Sequence, residues 1–232
     1  MNLMPPLYQL VRMSYQWFQS LQPDVQSVIM AATIKINMSA GDKLYAKGEY
    51  SNGLFAVVSG AVRVSGVSPA GREIILDFYG PGCWFGDVST FDDLPRVHDA
   101  EAVTASTVLV LRPAQIEVLT STHPAVGRAL LRLVALHLRI LLVALEDYSL
   151  QSYEQRLAAR LLMLTSGFGK KSSDGVLIDL ALPQEVLAQL TGSTRQRINQ
   201  ILNDWRDDGI VRSNKRRILV ANIAKLKELA EG

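Results

Sequence analysis

With 232 residues, 48% of them hydrophobic and 20% charged, the chain is long and apolar enough for one large or two small globular domains, which excludes wholesale disorder. Its net charge of +2 is unevenly divided, because residues 1–150 carry 11 basic and 13 acidic side chains whereas residues 151–232 carry 13 and 9, and this basic C-terminal part favours a polyanionic partner. The single cysteine excludes an internal disulfide and an iron–sulfur cluster, and the three histidines lack metal-ligand spacing.

The first half of the chain changes from helical to strand-like character near Thr33. Short helices are predicted at Tyr8–Phe18 and Pro23–Met30, and the absence of an apolar signal core before them leads us to expect a cytoplasmic protein. From Thr33 to Arg112, short apolar runs alternate with glycines, which is typical of an antiparallel barrel or sandwich. The predicted strands include Leu54–Val58, Val62–Val67, Ile74–Phe78 and Val103–Leu111.

Within this strand-rich region, the pair Gly86-Asp87 is followed at short range by Arg96. Backbone amides near Gly86 and the Arg96 guanidinium would hold an anionic group, and Asp87 would accept a hydrogen bond from a hydroxyl. The alternative is a plain turn with surface charges, and these residues alone leave both interpretations open.

A short helix at Pro113–Leu119 precedes a long helix over roughly Pro124–Gln151. Steps of three and four residues along the long helix connect the apolar side chains of a heptad seam: Leu131, Val134, Leu138, Leu141, Leu145 and Tyr148. An adjacent apolar face contains Leu130, Leu133, Ile140 and Ala144. We expect the strand domain to cover one face and a second copy to cover the seam; burial within a single chain is the alternative. Arg132, His137 and Arg139 interrupt the apolar stretch, which excludes a membrane span. We expect no membrane partner.

The C-terminal part contains a sequence of short elements around one glycine turn. The predicted elements are a helix at Ser152–Thr165, a loop at Ser166–Asp174, helices at Pro183–Leu190 and Ser193–Asp207, a hairpin of Ile210–Val211 with Arg217–Val220, and a helix at Ile223–Ala230. Two amphipathic helices that meet at Gly192 are typical of a helix-turn-helix, and the hairpin resembles a wing. An αα-hairpin without nucleic acid is the alternative.

Polar side chains at the start of the second of these helices suit the major groove, since arginine pairs with guanine, and asparagine or glutamine with adenine. Either Ser193 caps this helix in a capping box with Gln196, or Thr194 caps it and Gln196 is free. The predicted DNA-binding residues are Ser193, Thr194, Arg195, Gln196, Arg197, Asn199 and Gln200 on the helix, and Lys215 and Arg216 on the wing.

In combination, these motifs resemble the cyclic-AMP receptor protein / fumarate–nitrate regulator (CRP/FNR) superfamily of bacterial transcription factors, over roughly residues 25–232. The resemblance rests on the glycine-punctuated strands, F-G-D followed by Arg96, the leucine-rich helix, and the motifs R-L-A-A-R-L-L and G-S-T-R-Q-R-I-N-Q-I-L. It implies an α+β fold with an N-terminal β-roll (a jelly-roll, cyclic-nucleotide-binding-like domain), a long dimerisation helix and a C-terminal winged helix-turn-helix. The implied domains are residues 1–122, 123–151 and 152–232.

The chain departs from the superfamily pattern at the effector site. Members that bind cyclic AMP have Gly-Glu, then an Arg-Ser pair, and Thr-Ser on the dimer helix, whereas this chain has Gly86-Asp87, Arg96-Val97 and Leu141-Leu142. We therefore expect Gly86, Asp87, Arg96, Val97 and Leu141 to bind an unknown small effector other than cyclic AMP, and we assign no cofactor. The single cysteine excludes the oxygen-sensing cluster of the superfamily, and for His137 a core or interface role is favoured over haem ligation.

The sequence thus predicts a homodimeric DNA-binding transcription regulator that reads a palindromic operator in double-stranded DNA and has RNA polymerase as a partner. We expect no enzymatic activity, because no nucleophile–base pair or metal-ligand spacing is present. The alternative is a ligand-sensing module that regulates a protein partner without binding DNA. Superfamily members that read the best-known palindrome have Glu and Arg where this chain has Gln196 and Gln200, so a different half-site is expected.

Overall fold

A computed structural model of the chain describes residues 5–69, 71, 73–214 and 216–232, and these form two compact units. One unit comprises Met13–Gly66 and Leu76–Arg139. The other comprises Ile140–Gly232 with the described residues of Met1–Arg12 and Val67–Ile75. Within the described ranges, no helix is long and apolar enough to cross a membrane.

The part of the chain before residue 151 is a β-roll with helices before and after it. Its strands are β1 Ile34–Met38, β2 Lys43–Tyr45, β3 Leu54–Ser59, β4 Val62–Val67, β5 Glu73–Tyr79, β6 Trp84–Phe85, β7 Asp99–Ala102 and β8 Ser106–Leu111. Its helices are α1 Leu7–Gln16, α2 Pro23–Ala32, α3 Val88–Phe91, α4 Pro113–Thr122 and α5 Pro124–Leu150. The strands form four-stranded sheets in the orders β1-β8-β3-β6 and β2-β7-β4-β5. The predicted antiparallel barrel or sandwich is confirmed.

Strand β3 shows why both faces of one sheet are buried. Phe55 and Val57 join the apolar cluster between the two sheets, whereas Leu54 and Ala56 join a second cluster with the helices. Successive side chains of a strand point to opposite faces, so an unbroken apolar run suits a strand that is covered on both sides. Leu130 and Leu133 of α5 belong to the second cluster, so the roll covers one face of this helix, as expected.

The C-terminal unit is a helical domain with a small sheet. Its elements are α6 Tyr153–Phe168, β9 Gly169–Ser172, β10 Gly175–Ile178, α7 Gln184–Thr191, α8 Arg195–Asp207, β11 Val211–Asn214, β12 Arg217–Val220 and α9 Ile223–Glu231. The sheet has the order β11-β12-β10-β9. The predicted winged helix-turn-helix is confirmed, and Ser152 begins α6 with a capping box that includes Gln155.

The prediction of one strand over Val103–Leu111 is wrong at its start. Strand β8 begins at Ser106, and the preceding residues form a turn that connects it to β7. The Ser106 hydroxyl donates to the Thr104 carbonyl at 2.9 Å and accepts from the Ala61 N–H at 3.0 Å. Such local side-chain bonds give the backbone an alternative to continuing the ladder, and an apolar residue such as Val103 does not signal the reversal.

The prediction of a loop over Ser166–Asp174 is also wrong. Helix α6 continues to Phe168, and residues of β9 pair with β10 in the register Lys171 opposite Val176 and Lys170 opposite Leu177. Glycine and lysine have low strand propensity, which explains why the sequence did not indicate this strand. Its partner β10 also pairs with β12. The wing sheet is therefore wider than the sequence indicates.

Trp205 anchors α8 in the C-terminal unit. Its side chain is 1% exposed, and its indole N–H donates to the Glu154 carboxylate at 2.8 Å. We expect Trp205→Phe to lower the free energy of unfolding of this unit by about 1.5–3 kcal/mol, because it removes the donor of a charged hydrogen bond. Denaturant titration measures the loss.

Glu154→Gln is the matched control, because an amide oxygen remains to accept the indole N–H. Glu154→Gln should lower the free energy of unfolding clearly less than Trp205→Phe does. Equal losses for the two variants, or an unchanged unfolding midpoint for Trp205→Phe, would show that this bond does not stabilise the unit.

Candidate nucleic-acid interface and effector site

The turn between α7 and α8 settles which residue caps the second helix. Gly192 ends α7 in the left-handed conformation, with φ of 66°, which residues with a side chain rarely adopt. The Thr194 side chain accepts the Arg197 N–H at 3.2 Å, so Thr194 is the cap. The Ser193 hydroxyl is buried and has no hydrogen-bond partner among the described residues. Gln196 is consequently not used in a capping box.

Helix α8 has one buried face and one exposed face. Its buried side chains are Ile198, Ile201, Leu202 and Trp205. The predicted reading residues are all exposed: Arg195, Gln196, Arg197, Asn199 and Gln200. This division places the polar side chains at the N-terminal half of the helix toward solvent.

Some of these side chains already form hydrogen bonds within the protein. Asn199 accepts from the Gln184 amide at 2.7 Å, and Arg197 donates to the Gln200 amide oxygen at 3.0 Å. Arg195 and Gln196 have no side-chain hydrogen bond within the described part of the chain. The Arg195 side chain is therefore exposed and unpaired among the described residues.

The wing carries basic residues, some of which are in ion pairs. Arg212 pairs with Asp174 at 3.1 Å, and Arg217 lies 3.6 Å from Asp179. The Lys170 ammonium bonds Asp179 and holds the pKa of that carboxyl below its usual value. The Arg216 side chain is exposed at the tip of the hairpin. Lys215, which the sequence also assigned to the wing, lies outside the described residues.

An aromatic and arginine stack connects the end of α5 to the turn, and nothing in the sequence beyond the residue types indicates it. The Arg156 guanidinium lies 4.4 Å from the Tyr148 ring centroid and 4.5 Å from that of Tyr153. It also donates to the Tyr148 carbonyl at 3.1 Å. The Tyr148 ring packs so closely on Gly192 that a Cβ there would overlap it. Tyr148, assigned to the heptad seam, thus also contacts the turn of the helix-turn-helix.

In the roll, Arg96 is buried and held by the chain itself. The side chain is 3% exposed, and its guanidinium donates to the carbonyls of Gly86 and Gly53, each at 2.7 Å, and to the Asn52 amide oxygen at 3.3 Å. It also stacks on the Tyr45 ring at 4.3 Å. Burial lowers the pKa of Arg96 and raises the pKa of Tyr45 to about 12. The sequence predicted that Arg96 and the backbone amides near Gly86 would bind an anion together. In the structure, the Arg96 guanidinium instead binds the Gly86 carbonyl.

Asp87 is paired with a residue far away in the sequence. Its carboxylate lies 3.0 Å from Nδ1 of His137 on α5, and the Asp87 side chain is 8% exposed. Sequence reasoning expected Asp87 to face a hydroxyl and placed His137 in the core or an interface. The contact attaches α5 to the start of α3. Among the described residues, no group of three or more His, Cys, Asp or Glu could hold a metal.

The other residues assigned to the effector and the dimer interface are mostly exposed. Val97 is 53% exposed and Leu141 is 64% exposed. Both side chains are apolar, so neither offers a hydrogen-bonding group to a ligand. Most of the heptad seam is exposed as well: Leu131, Leu138, Leu141, Leu145 and Tyr148, with Val134 partly buried. A row of apolar side chains along α5 is therefore exposed.

Two family models match the chain, in the order in which the units occur. The model of the cyclic nucleotide-binding domain matches residues 35–123, which include the roll, and that of the Crp-like helix-turn-helix domain matches residues 155–229. A CRP-like cAMP-activated global transcriptional regulator of Mycobacterium tuberculosis is 28% identical over 213 residues, or 92% of this chain and 95% of that protein.

Two further similarities extend over most of the chain. A global nitrogen regulator of Synechocystis is 30% identical over 189 residues, which are 80% of this chain and 83% of that protein. The crystal structure of a CRP/FNR-family transcriptional regulator from Thermus thermophilus has a TM-score of 0.68 at 26% identity, and the match covers 86% of this chain and 99% of the other. These matches give no support to a sensing module without DNA binding.

Proposed function

Because the chain belongs to the CRP/FNR superfamily of DNA-binding transcription regulators, we propose that it acts as a homodimer that binds a palindromic operator through α8 of each copy. The observation that carries the proposal is the exposed polar face of α8. The helix begins after the Thr194 cap, and its other face is apolar and buried. A two-fold dimer presents two such helices to successive turns of the major groove, which requires an inverted repeat.

The exposed heptad seam of α5 supports the dimer. Leu131, Leu138 and Leu145 are 69%, 56% and 63% exposed. An exposed apolar row at this spacing is typical of a helix that pairs with another copy. Burying one such leucine contributes about 1.5–3 kcal/mol, and two-fold symmetry counts every contact twice.

The stoichiometry and salt dependence of DNA binding test this function. Native mass spectrometry should find two chains per operator duplex. The logarithm of the binding constant should fall linearly with the logarithm of salt concentration, with a slope of about −0.9 per phosphate contact. One chain per duplex, or affinity that is independent of salt, would contradict the proposal.

The effector site is proposed to lie at Gly86, Asp87, Arg96, Val97 and Leu141, with a small molecule other than cyclic AMP as its ligand. The Asp87–His137 bond supplies a route from this site to α5. A ligand group that competes for Asp87 would free His137, shift the equilibrium between two positions of α5 and reset the spacing of the recognition helices. The M. tuberculosis relative is described as cAMP-activated, but this chain lacks polar side chains at Val97 and Leu141.

Cyclic AMP should bind this chain weakly or not at all. Val97, Leu141 and Leu142 each lack a hydrogen-bonding group that cyclic-AMP-binding members have, and three missing bonds cost roughly 1.5–4.5 kcal/mol. Calorimetry on the full chain should therefore detect no micromolar binding. The triple variant Val97→Ser, Leu141→Thr, Leu142→Ser should gain affinity. Micromolar binding of cyclic AMP to the unmodified chain would refute this expectation.

The remaining roles follow from the same assignment. We propose sensing for residues 1–122, dimerisation for residues 123–151 and DNA binding for residues 152–232. RNA polymerase is the proposed partner at regulated promoters, and the cytoplasm, where such promoters are transcribed, is the proposed location. No catalytic role is proposed.

A further inference from the structure

A cavity of about 850 Å³ lies in the roll, beside the edge strands β1 and β2 and the first turn of α4. Its volume is within the range of small-molecule sites in proteins. Gly86, Asp87, Arg96 and Val97 are not among its lining residues. The cavity is therefore distinct from the effector site proposed above, and the inference below does not depend on that site or on DNA binding.

The walls of this cavity are largely apolar. Met38, Leu44, Phe55 and Val110 contribute to it, and each of these side chains is 9% exposed or less. They also belong to the cluster between the two sheets, so the bottom of the cavity is the interior of the roll. Ile34, which is 40% exposed, forms part of the opening. An apolar body would bury surface there, and such burial favours binding.

The charged groups that line the cavity are two cations, Lys43 and Arg112, and one carboxylate, Asp42. Neither Lys43 nor Arg112 forms a salt bridge with another described residue. Glu101, which is opposite Lys43 in the sheet, is paired with Arg63 at 3.4 Å. The Asp42 carboxylate accepts the Ser39 N–H at 2.7 Å, so it is engaged in its own turn.

The start of α4 adds to the positive potential. Pro113 is the first helical residue, and Arg112 precedes it without a side-chain cap. The backbone N–H groups of a first turn carry partial positive charge and favour an anion. Arg112, Pro113 and Ala114 all line the cavity, so this helix end lies at the same place as the two cations.

We infer that this cavity binds a small organic anion with an apolar body, such as a medium-chain carboxylate, through Lys43 and Arg112. The apolar part lies against Phe55 and its neighbours, and the carboxylate lies at the start of α4. Asn52 connects the cavity to the roll interior, because it lines the cavity and accepts a hydrogen bond from Arg96 at 3.3 Å. Binding would thus alter one anchor of Arg96.

Decanoate is the probe, and calorimetry on the full chain is the measurement. We expect saturable binding with one site per chain. Lys43→Gln and Arg112→Gln should each weaken binding by roughly tenfold or more, as expected for loss of a charged contact. Lys35→Gln is the matched control, since Lys35 is exposed on β1 and does not line the cavity, and it should leave binding unchanged.

A second pair of variants separates the contribution of the apolar chain of the ligand from that of its carboxylate. Ala114→Trp fills the cavity and should abolish binding of both decanoate and the neutral decanol. Val118→Trp, on the exposed side of the same helix, should affect neither. Absence of saturable decanoate binding, equal binding to Lys43→Gln and the unmodified chain, or a loss with Lys35→Gln as large as with Arg112→Gln would overturn the inference. Thermal unfolding establishes that each variant is folded.

Discussion

Replacing Leu138 with glutamate should convert the dimer into monomers and abolish tight binding to a paired operator. Leu138 lies in the middle of the heptad seam of α5 and is 56% exposed in the single chain. In a two-fold dimer, the substitution places two carboxylates near the axis and removes two leucine contacts, each worth about 1.5–3 kcal/mol. Sedimentation velocity at micromolar concentration measures the change in mass.

Val118→Glu is the matched control for the added charge. Val118 is 60% exposed on α4, in a helix that is not part of the seam. This variant should remain dimeric and should retain affinity for the operator. If Leu138→Glu still sediments as a dimer, or if Val118→Glu dissociates equally, α5 is not the dimer interface.

Arg195→Ala should remove sequence preference at one base pair of each half-site. Arg195 is the first residue of α8 and is exposed, and within the described part of the chain it has no side-chain partner. In the proposed complex its guanidinium would pair with a guanine without losing an internal contact. The binding free energy should fall by about 1–3 kcal/mol per half-site. Titration against the operator and its single-base-pair variants measures both effects.

Arg216→Ala on the wing should behave differently. Arg216 is exposed at the tip of the hairpin, and its neighbour Lys215 has the same proposed role. Loss of a phosphate contact should weaken binding to all sequences alike. It should also reduce the slope of the logarithm of the binding constant against the logarithm of salt concentration by about one unit. If Arg195→Ala and Arg216→Ala relax the same base position, or if neither relaxes any, α8 is not the reading helix.

The long helix shows how much of the fold could be predicted. The expected Pro124–Gln151 agrees with the observed α5 to one residue, because an uninterrupted heptad pattern bounded by proline is a strong local signal. The cap of α8 could not be chosen from sequence, since Ser193 and Thr194 are equally suitable residue types. Only the backbone positions show that Thr194 accepts the Arg197 N–H.

The residues assigned to the effector site show why long-range contacts were missed. Asp87 and Arg96 were identified by residue type and spacing, but each has a partner that is distant in the chain. Asp87 bonds His137, which is 50 residues away, and Arg96 bonds the Gly53 carbonyl, which is 43 residues away. Neither pairing has a local pattern. Strand β9 was missed for a different reason, because its glycine and lysine residues have low strand propensity.

Selection of bound sites from a random DNA pool by the unmodified chain tests the central claim most directly. The claim is that two copies, joined along α5, present two α8 helices to one face of the duplex. The account predicts enrichment of an inverted repeat whose half-site centres are about 34 Å apart, or one helical turn. Enrichment of a single unpaired site, or of no sequence at all, would contradict it.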